Sequence, residues 1–201
     1  MSAEASAIGA RGEHQALLLM DLQAEIVDRY AAADPGYLGR VAQAARTARA
    51  HGVPVVWIVV RFRPGHPEVP MGRGTFGAVR ERGALVEGTP AASLHPTLET
   101  RPDEPVVTKR RVGAFSGSDL EVILRAQGIG HLALAGIATS GVVLSTVRAA
   151  ADLDYGLTVL RDACLDGDAE VHRVLLDKVF PRQAEVATVD EWAAGLSRDG
   201  A

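Results

Sequence analysis

The sequence predicts an α/β fold with three layers, in which a six-stranded, mostly parallel sheet has helices on both faces. Short runs rich in Val, Ile and Leu recur along the chain, and segments with apolar residues at helical spacing separate them. Runs that are apolar at nearly every position are typical of strands buried on both faces, and strands that alternate with helices favour parallel pairing. The 201 residues suffice for one well-cored domain, predicted over 15–201, with 1–14 as a flexible N-terminus.

The first part of the chain contains two predicted strands and the helix between them. Residues 16–22 (ALLLMDL) form the first strand, and residues 53–60 (VPVVWIVV) form the second. Asp34 and Pro35 predict an N-cap followed by proline at the first helical position, and Gly52 predicts the end of that helix.

Residues 61–103 form a long connection that is rich in Gly, Pro and Arg and has little periodicity. A connection of this length inside a domain is usually functional or mobile. We therefore expect residues 61–103 to determine which substrate binds.

Regular alternation of strands and helices resumes after this connection. Ser118 and Glu121 predict a capping box at the start of a helix, further helices are predicted at 140–154 and 168–180, and a short one begins at Asp190. The strands of this part are predicted at 105–109, 131–137, 157–160 and 184–188.

The composition argues against several classes of function. With a net charge of −4 and scattered basic residues, the chain has no basic patch for nucleic acid or an anionic membrane. No apolar run approaches the roughly 18 residues of a membrane-spanning helix, and the first residues lack the apolar segment of a signal peptide. The single cysteine, Cys164, excludes an internal disulfide and favours a cytoplasmic location.

Candidate site residues lie at the ends of predicted strands, where parallel α/β sheets place their sites. Asp21 ends the first strand and Lys109 the third, and the turn at 136–141 leads into a helix whose free N–H groups favour an anion. A carboxylate among apolar residues must be paired, protonated or in use, and a lysine beside it can stabilise negative charge. From these residues alone a reactive site and a structural ion pair both stay open, and the ion pair is the simpler interpretation.

Three segments, in order, resemble the isochorismatase-like hydrolases, also called the cysteine hydrolase superfamily. LLLMDLQAEIV is similar to the family's opening strand, with Asp21 and Gln23, and VVTKRRVGAFSGSDL is similar to the segment that carries its lysine, Lys109. AGIATSGVVLST is similar to the turn that holds the nucleophilic cysteine, but this chain has Val142 at that position. The resemblance implies a Rossmann-like α/β/α topology over nearly the whole chain.

The resemblance also implies the roles of individual residues. In members with the cysteine, its thiolate attacks the substrate, the residue at Asp21 is the base and that at Lys109 supports the charge. The amides of Ala138 and Val142 correspond to the oxyanion hole, and a non-proline cis peptide is implied near Ile137–Ala138. Because valine has no lone pair, hydrolysis through a thioester is not available to this chain.

Isochorismatases themselves lack the cysteine and hydrolyse an enol ether, with the aspartate as the acid. Asp21 is therefore a candidate general acid. A nearby Lys109 lowers the pKa of a carboxyl group whereas burial raises it, so this role requires that burial dominates. The turn TSGVV of this chain differs from that of true isochorismatases, which leaves the substrate open.

Gln23, Arg61, Phe115 and Thr139 are further candidates for contact with substrate. Arg61 follows the second strand, where its guanidinium could bind a substrate carboxylate. The segment lacks the Asp-x-His of metal-binding nicotinamidases, and the six histidines have no ligand spacing. We therefore predict no metal and no cofactor.

Two functions are consistent with the sequence. The first is a hydrolase that acts on a small molecule without a cysteine nucleophile. The second is a non-catalytic member that binds a small molecule or a partner protein in an inherited pocket, for which Val142 is the motivation. The resemblance further implies a homodimer or homotetramer.

Overall fold

The structure is a computed structural model that describes residues 15–72 and 74–199. The prediction of an α/β fold is confirmed, since six parallel strands form one sheet in the order β3-β2-β1-β4-β5-β6. The strands are β1 Gln15–Met20, β2 Val55–Val60, β3 Val106–Lys109, β4 His131–Ile137, β5 Gly156–Leu165 and β6 Glu185–Ala187. The α-helices are α1 Ala24–Tyr30, α2 Tyr37–Ala50, α3 Gly77–Glu81, α4 Leu120–Ala126, α5 Leu144–Asp152, α6 Ala169–Val174 and α7 Val189–Asp199.

The central strands are buried on both faces because helices cover both sides of the sheet. Alternate residues of β1 enter different cores: Leu18 and Met20 pack with residues of α4 and α5, while Leu17 and Leu19 pack with residues of α2 and α7. This arrangement explains why the first strand is apolar at nearly every position.

Two predicted helix starts differ from the structure. The helix α2 begins at Tyr37 with Gly36 as its N-cap, and the carboxylate of Asp34 accepts a hydrogen bond from Gly36 N at 3.2 Å. The capping box at Ser118 is wrong as well, since Asp119 occupies the N-cap of α4 and caps no N–H with its side chain. In both places a short polar side chain bonds to the local backbone just before the helix.

Three elements were missed or underestimated. The helix α1 buries only Val27, so its apolar periodicity is weak. The strand β5 continues past the charged pair Arg161–Asp162, where its register with β4 shifts so that Gly136 lies opposite Cys164. The helix α7 extends to Asp199 rather than ending near Trp192.

Candidate active site

Asp21 and Lys109 meet at the carboxyl ends of the strands. Asp21 follows β1 directly and Lys109 is the last residue of β3, with β2 between the two strands. The Lys109 ammonium donates to Asp21 Oδ2 at 2.8 Å and to the Arg111 carbonyl at 3.1 Å. The two side chains are 1% and 9% exposed, so the pair is withdrawn from bulk water.

The Asp21 carboxyl group has spare hydrogen-bonding capacity. Its Oδ1 is buried and has no hydrogen-bond partner among the residues that the structure describes. Burial raises the pKa of Asp21 by more than the attraction and hydrogen bond of Lys109 lower it. This carboxyl group therefore holds a proton at a higher pH than an ordinary aspartate does.

A tight turn after β4 forms the second part of the site. A cis peptide joins Ile137 and Ala138, as the resemblance implied, and residues Thr139–Val143 form one π-helical turn that leads into α5. The Ala138 carbonyl accepts hydrogen bonds from the amides of Gly141 and Val143 at 3.0 and 3.3 Å. The Ser140 amide donates to Asp166 Oδ2 at 2.6 Å, so a carboxylate from outside the turn stabilises its start.

Gly136 allows this turn to lie close to Asp21. Gly136 is paired with Met20 in the sheet, and a Cβ atom at Gly136 would lie 2.2 Å from the Met20 carbonyl oxygen. Only glycine fits there, and its φ of +146° is one that other residues rarely adopt. The close approach brings the end of β4 beside the residue that precedes Asp21.

A cavity of about 220 Å³ lies over these elements. The structure brings together four of the predicted site residues, because Asp21, Lys109, Ala138 and Val142 all line this cavity. The Val142 side chain is only 2% exposed. It gives the cavity an apolar wall near the Asp21–Lys109 pair.

The other four predicted residues do not line the cavity. Gln23 uses its amide to hold the backbone of Val60 and Ala92, with hydrogen bonds of 2.8–3.0 Å. Arg61 Nε also donates to the Ala92 carbonyl, at 2.9 Å. These two side chains connect the end of β2 to the long connection that follows it.

Phe115 and Thr139 face other parts of the core. The Phe115 ring lies 5.9 Å from that of Tyr155 and packs against the core under α4 and α5. The Thr139 hydroxyl is hydrogen-bonded to His172 Nδ1 of α6 at 2.8 Å. Thr139 therefore fixes the turn to a neighbouring helix.

Most of the cavity wall comes from residues that sequence reasoning did not name one by one, although it expected the connection 61–103 to contribute. The helix α1 and the connection 61–103 supply one side of it. The position of these two segments directly after β1 and β2 could have indicated their role, because the loops at the carboxyl ends of the strands form the binding sites of parallel α/β sheets. These wall residues are Glu25, Ile26, Arg29, Tyr30, Thr75, Phe76, Val79, Arg82 and Leu85.

Cys164 lies apart from the cavity. It is buried on β5, and burial raises the pKa of its thiol to about 12. A thiol with this pKa is not ionised at neutral pH, so it is a poor nucleophile. Cys164 therefore packs as a small buried residue and does not replace the missing nucleophile.

The described part of the chain contains no group of three His, Cys, Asp or Glu side chains placed to hold a metal ion. Within the same part, no helix is both long and apolar enough to cross a membrane.

The fold and site define an α/β protein with a buried carboxyl–ammonium pair where parallel strands end. The model of the isochorismatase domain matches residues 15–191, and the chain therefore belongs to the isochorismatase family. A structure of an isochorismatase family protein from Burkholderia thailandensis superposes on 95% of this chain and 100% of that chain, with a TM-score of 0.81 and 29% identity.

Three curated relatives are similar in sequence. The isochorismatase family protein YecD of Escherichia coli O157:H7 is 40% identical, over 48% of this chain and 52% of that protein, so the match spans about half of its length. A probable inactive nicotinamidase of Arabidopsis thaliana is 26% identical over 93% of this chain and 98% of that protein. The maleamate amidohydrolase of Pseudomonas putida is 28% identical over 88% of this chain and 84% of that protein.

Proposed function

We propose that this chain is an isochorismatase-family hydrolase that adds water to a small molecule without a cysteine nucleophile, with an enol ether as the substrate type. One observation carries the proposal: a buried Asp21 with a raised pKa, whose Oδ1 has no hydrogen-bond partner in the described part of the chain, lines the same cavity as Lys109 and Val142. A raised pKa favours this role, because a general acid must carry a proton at the pH at which the reaction runs.

In the proposed reaction, Asp21 donates its proton to the vinyl carbon of the enol ether. A C–H bond forms there, and the ether carbon becomes an oxocarbenium ion. Water adds to this carbon and returns a proton to Asp21, so the acid is restored. The hemiketal then breaks its C–O bond and releases an alcohol and a carbonyl compound.

Other residues of the cavity stabilise the charges of this reaction. The Lys109 ammonium, 2.8 Å from Asp21 Oδ2, stabilises the carboxylate that forms after proton transfer. We assign the amides of Ala138 and Val142 to the ether oxygen, which gains negative charge as the hemiketal C–O bond breaks and then takes up the proton released by the hemiketal hydroxyl. The apolar side chain of Val142 keeps water other than the reacting molecule from the oxocarbenium ion.

Four residues outside the cavity have positioning roles in this proposal. Gln23 and Arg61 hold the Ala92 carbonyl and so fix the connection 61–103 beside the site. Thr139 is bonded to His172 and fixes the turn, while Phe115 packs behind it.

The alternative is a non-catalytic member that binds a small molecule or a partner protein. Two observations favour it, the apolar Val142 in the cavity wall and a relative whose name describes it as a probable inactive nicotinamidase. A cytoplasmic location and a homodimer or homotetramer stay predictions of either function.

Turnover of a substrate panel by the native chain and by Asp21→Asn tests the proposal. The panel contains isochorismate and simpler enol ethers, together with small amides and esters, and mass spectrometry detects the products. We expect loss of an enol ether that depends on Asp21. Full turnover by Asp21→Asn would contradict the mechanism, and no turnover of any compound would favour the binding protein.

A further inference from the structure

Two arginines of the cavity wall have no ion-pair or hydrogen-bond partner among the residues that the structure describes. Arg29 of α1 and Arg82 of the connection 61–103 both line the cavity and are exposed. Among the described residues, no acidic side chain or carbonyl forms an ion pair or hydrogen bond with either guanidinium group. Arg29 makes only an aromatic contact, 5.6 Å from the centre of the Tyr30 ring.

Other arginines at this end of the sheet are used within the fold. Arg61 donates to the Ala92 carbonyl, and Arg110 pairs with Glu68 and Glu87. Arg29 and Arg82 thus differ from their neighbours, because their charge and their planar sets of donors are both available to a ligand.

The position of the two arginines indicates which end of a ligand they would contact. Asp21 and Lys109 are buried at the base of the cavity, whereas Arg29 and Arg82 are exposed at its mouth. A molecule that places its reacting atoms at Asp21 would therefore extend its opposite end toward the guanidinium groups.

The charges around the cavity limit the ligand further. Lys109, Arg29 and Arg82 are cationic, and the carboxyl groups are those of Asp21 and Glu25. The cations outnumber the carboxyl groups even if Asp21 is ionised. Glu25 lies one helical turn before Arg29, is half-buried, and forms no ion pair within the described chain, so it disfavours a second anionic group on that side.

We infer that the ligand of this cavity is a small monocarboxylate whose carboxylate binds Arg29 and Arg82, away from the group that reacts at Asp21. The inference rests on the proposed function only for the end of the ligand that reacts at Asp21; the carboxylate end is argued from the two arginines. Guanidinium groups bind carboxylates in a planar geometry with charge-assisted hydrogen bonds. Arg29 and Arg82 then determine specificity, in place of the Arg61 that the sequence suggested.

Equilibrium binding of benzoate and benzamide tests this inference, because the two probes have nearly the same shape and differ in charge. Isothermal titration calorimetry with the full chain measures both affinities. We expect benzoate to bind about two- to thirtyfold more tightly, the range for two exposed ion pairs. Arg29→Gln and Arg82→Gln should each reduce this preference and leave the affinity for benzamide unchanged.

Arg46→Gln is the matched control, since Arg46 is an exposed arginine of α2 that does not line the cavity. It changes the net charge equally and should leave the preference for benzoate intact. Equal binding of the probes, no binding of either, or an unchanged preference in the Arg29→Gln/Arg82→Gln double variant would each overturn the inference. So would binding of phenyl phosphate in preference to benzoate.

Binding and turnover by the native chain separate this inference from the proposed function, because binding of benzoate does not require chemistry. If the native chain prefers benzoate but turns over no enol ether, the proposed function fails and the carboxylate site stands. If the native chain turns over neutral enol ethers but does not prefer benzoate, the carboxylate site fails and the proposed function stands.

Discussion

Two buried ion pairs lie at opposite ends of the same sheet. Lys109–Asp21 lies where the strands end, and Arg49–Glu104 lies just before β3, near the start of the strands. Their distances are 2.8 and 2.7 Å, and all four side chains are at most 9% exposed. By distance and exposure the two pairs are equivalent.

Their hydrogen bonds are not equivalent. Both oxygens of Glu104 accept from Arg49, and Oε2 also accepts from Trp57 Nε1 at 2.7 Å and from the Arg101 amide at 3.0 Å. Asp21 accepts from Lys109 through Oδ2, and its Oδ1 has no partner within the described chain.

The pKa values of the two carboxyl groups move in opposite directions as a result. Burial is the largest influence on both and would raise each pKa. For Glu104 the hydrogen bonds from Arg49, Trp57 and Arg101 outweigh burial and lower the pKa, whereas for Asp21 burial prevails. Two differences therefore separate the structural pair from the candidate site: Glu104 accepts more hydrogen bonds in its charged form, and the hydrogen bond of the Asp21 pair is the more deeply buried.

The largest expected effect is on turnover. If the Asp21 pair is reactive and the Glu104 pair structural, Asp21→Asn should lower kcat on an enol ether by about 10²–10⁴-fold, the usual contribution of general acid catalysis. Because the protonated acid is the active form, kcat of the native chain should fall as the pH rises through the raised pKa of Asp21. Glu104→Gln is the matched control. A comparable loss of kcat in this variant would contradict the distinction between a reactive Asp21 pair and a structural Glu104 pair.

The next effect concerns stability. Arg49→Met leaves Glu104 buried without its cation, and we expect it to lower the free energy of unfolding at neutral pH by about 3–5 kcal/mol. Lys109→Met should cost less, because Asp21 already favours a proton and can become neutral. Chemical denaturation of both variants measures the difference. A larger loss in Lys109→Met would mean that the Asp21 pair is the more important structural contact.

A smaller effect should follow from the removal of one donor. Trp57→Phe deletes the indole N–H that bonds Glu104, at a cost of about 1.5–3 kcal/mol for a hydrogen bond to a charged group. The pKa of Glu104 should rise toward its ordinary value. A lowered pKa adds stability that is lost as the pH falls from the unfolded-state pKa to the folded-state pKa, so in the variant this smaller loss should be complete at a higher pH. Carbon NMR of the Glu104 carboxyl group checks the direction, and an unchanged pKa would refute the importance of the donor count.

The smallest expected effect is a gain of reactivity. Val142→Cys places a thiol in the cavity with Lys109, whose positive charge favours the thiolate. We expect alkylation by iodoacetamide and slow hydrolysis of p-nitrophenyl acetate. Val143→Cys is the matched control, because Val143 is fully buried in the core. Failure of Val142→Cys to react in either assay would argue against an intact pocket at this turn.

The fold was predictable because its signal is local and repeated. The run LLLM in β1 and the run VVWIVV in β2 are apolar at every position, which requires helices on both faces. The helix α1 was missed because only Val27 is buried, and the end of β5 was missed because its charged pair interrupts the apolar pattern. Helices and strands that are exposed or partly polar lack a repeated apolar pattern in the sequence.

The pair at the base of the site, Asp21 and Lys109, was predictable as well, whereas the individual residues of the cavity wall were not. Asp21 and Lys109 end buried strands, and strand ends meet at one edge of a parallel sheet. Gln23 and Arg61 also follow strands, but their side chains bond to the backbone of the connection 61–103. The direction of a side chain after a strand depends on the hydrogen-bond partners in the neighbouring loop, here the Ala92 carbonyl.

The sequence by itself determined the parallel sheet, the pairing of Asp21 with Lys109 and the apolar Val142 in the turn after β4. Each of these follows from residue type and position along buried strands. The tertiary structure decided that, among the described residues, Asp21 Oδ1 has no hydrogen-bond partner and Arg29 and Arg82 have no ion-pair partner at the cavity. Hydrogen-bond satisfaction depends on which atoms of distant segments come within about 3 Å, and a linear pattern of residue types does not contain that information.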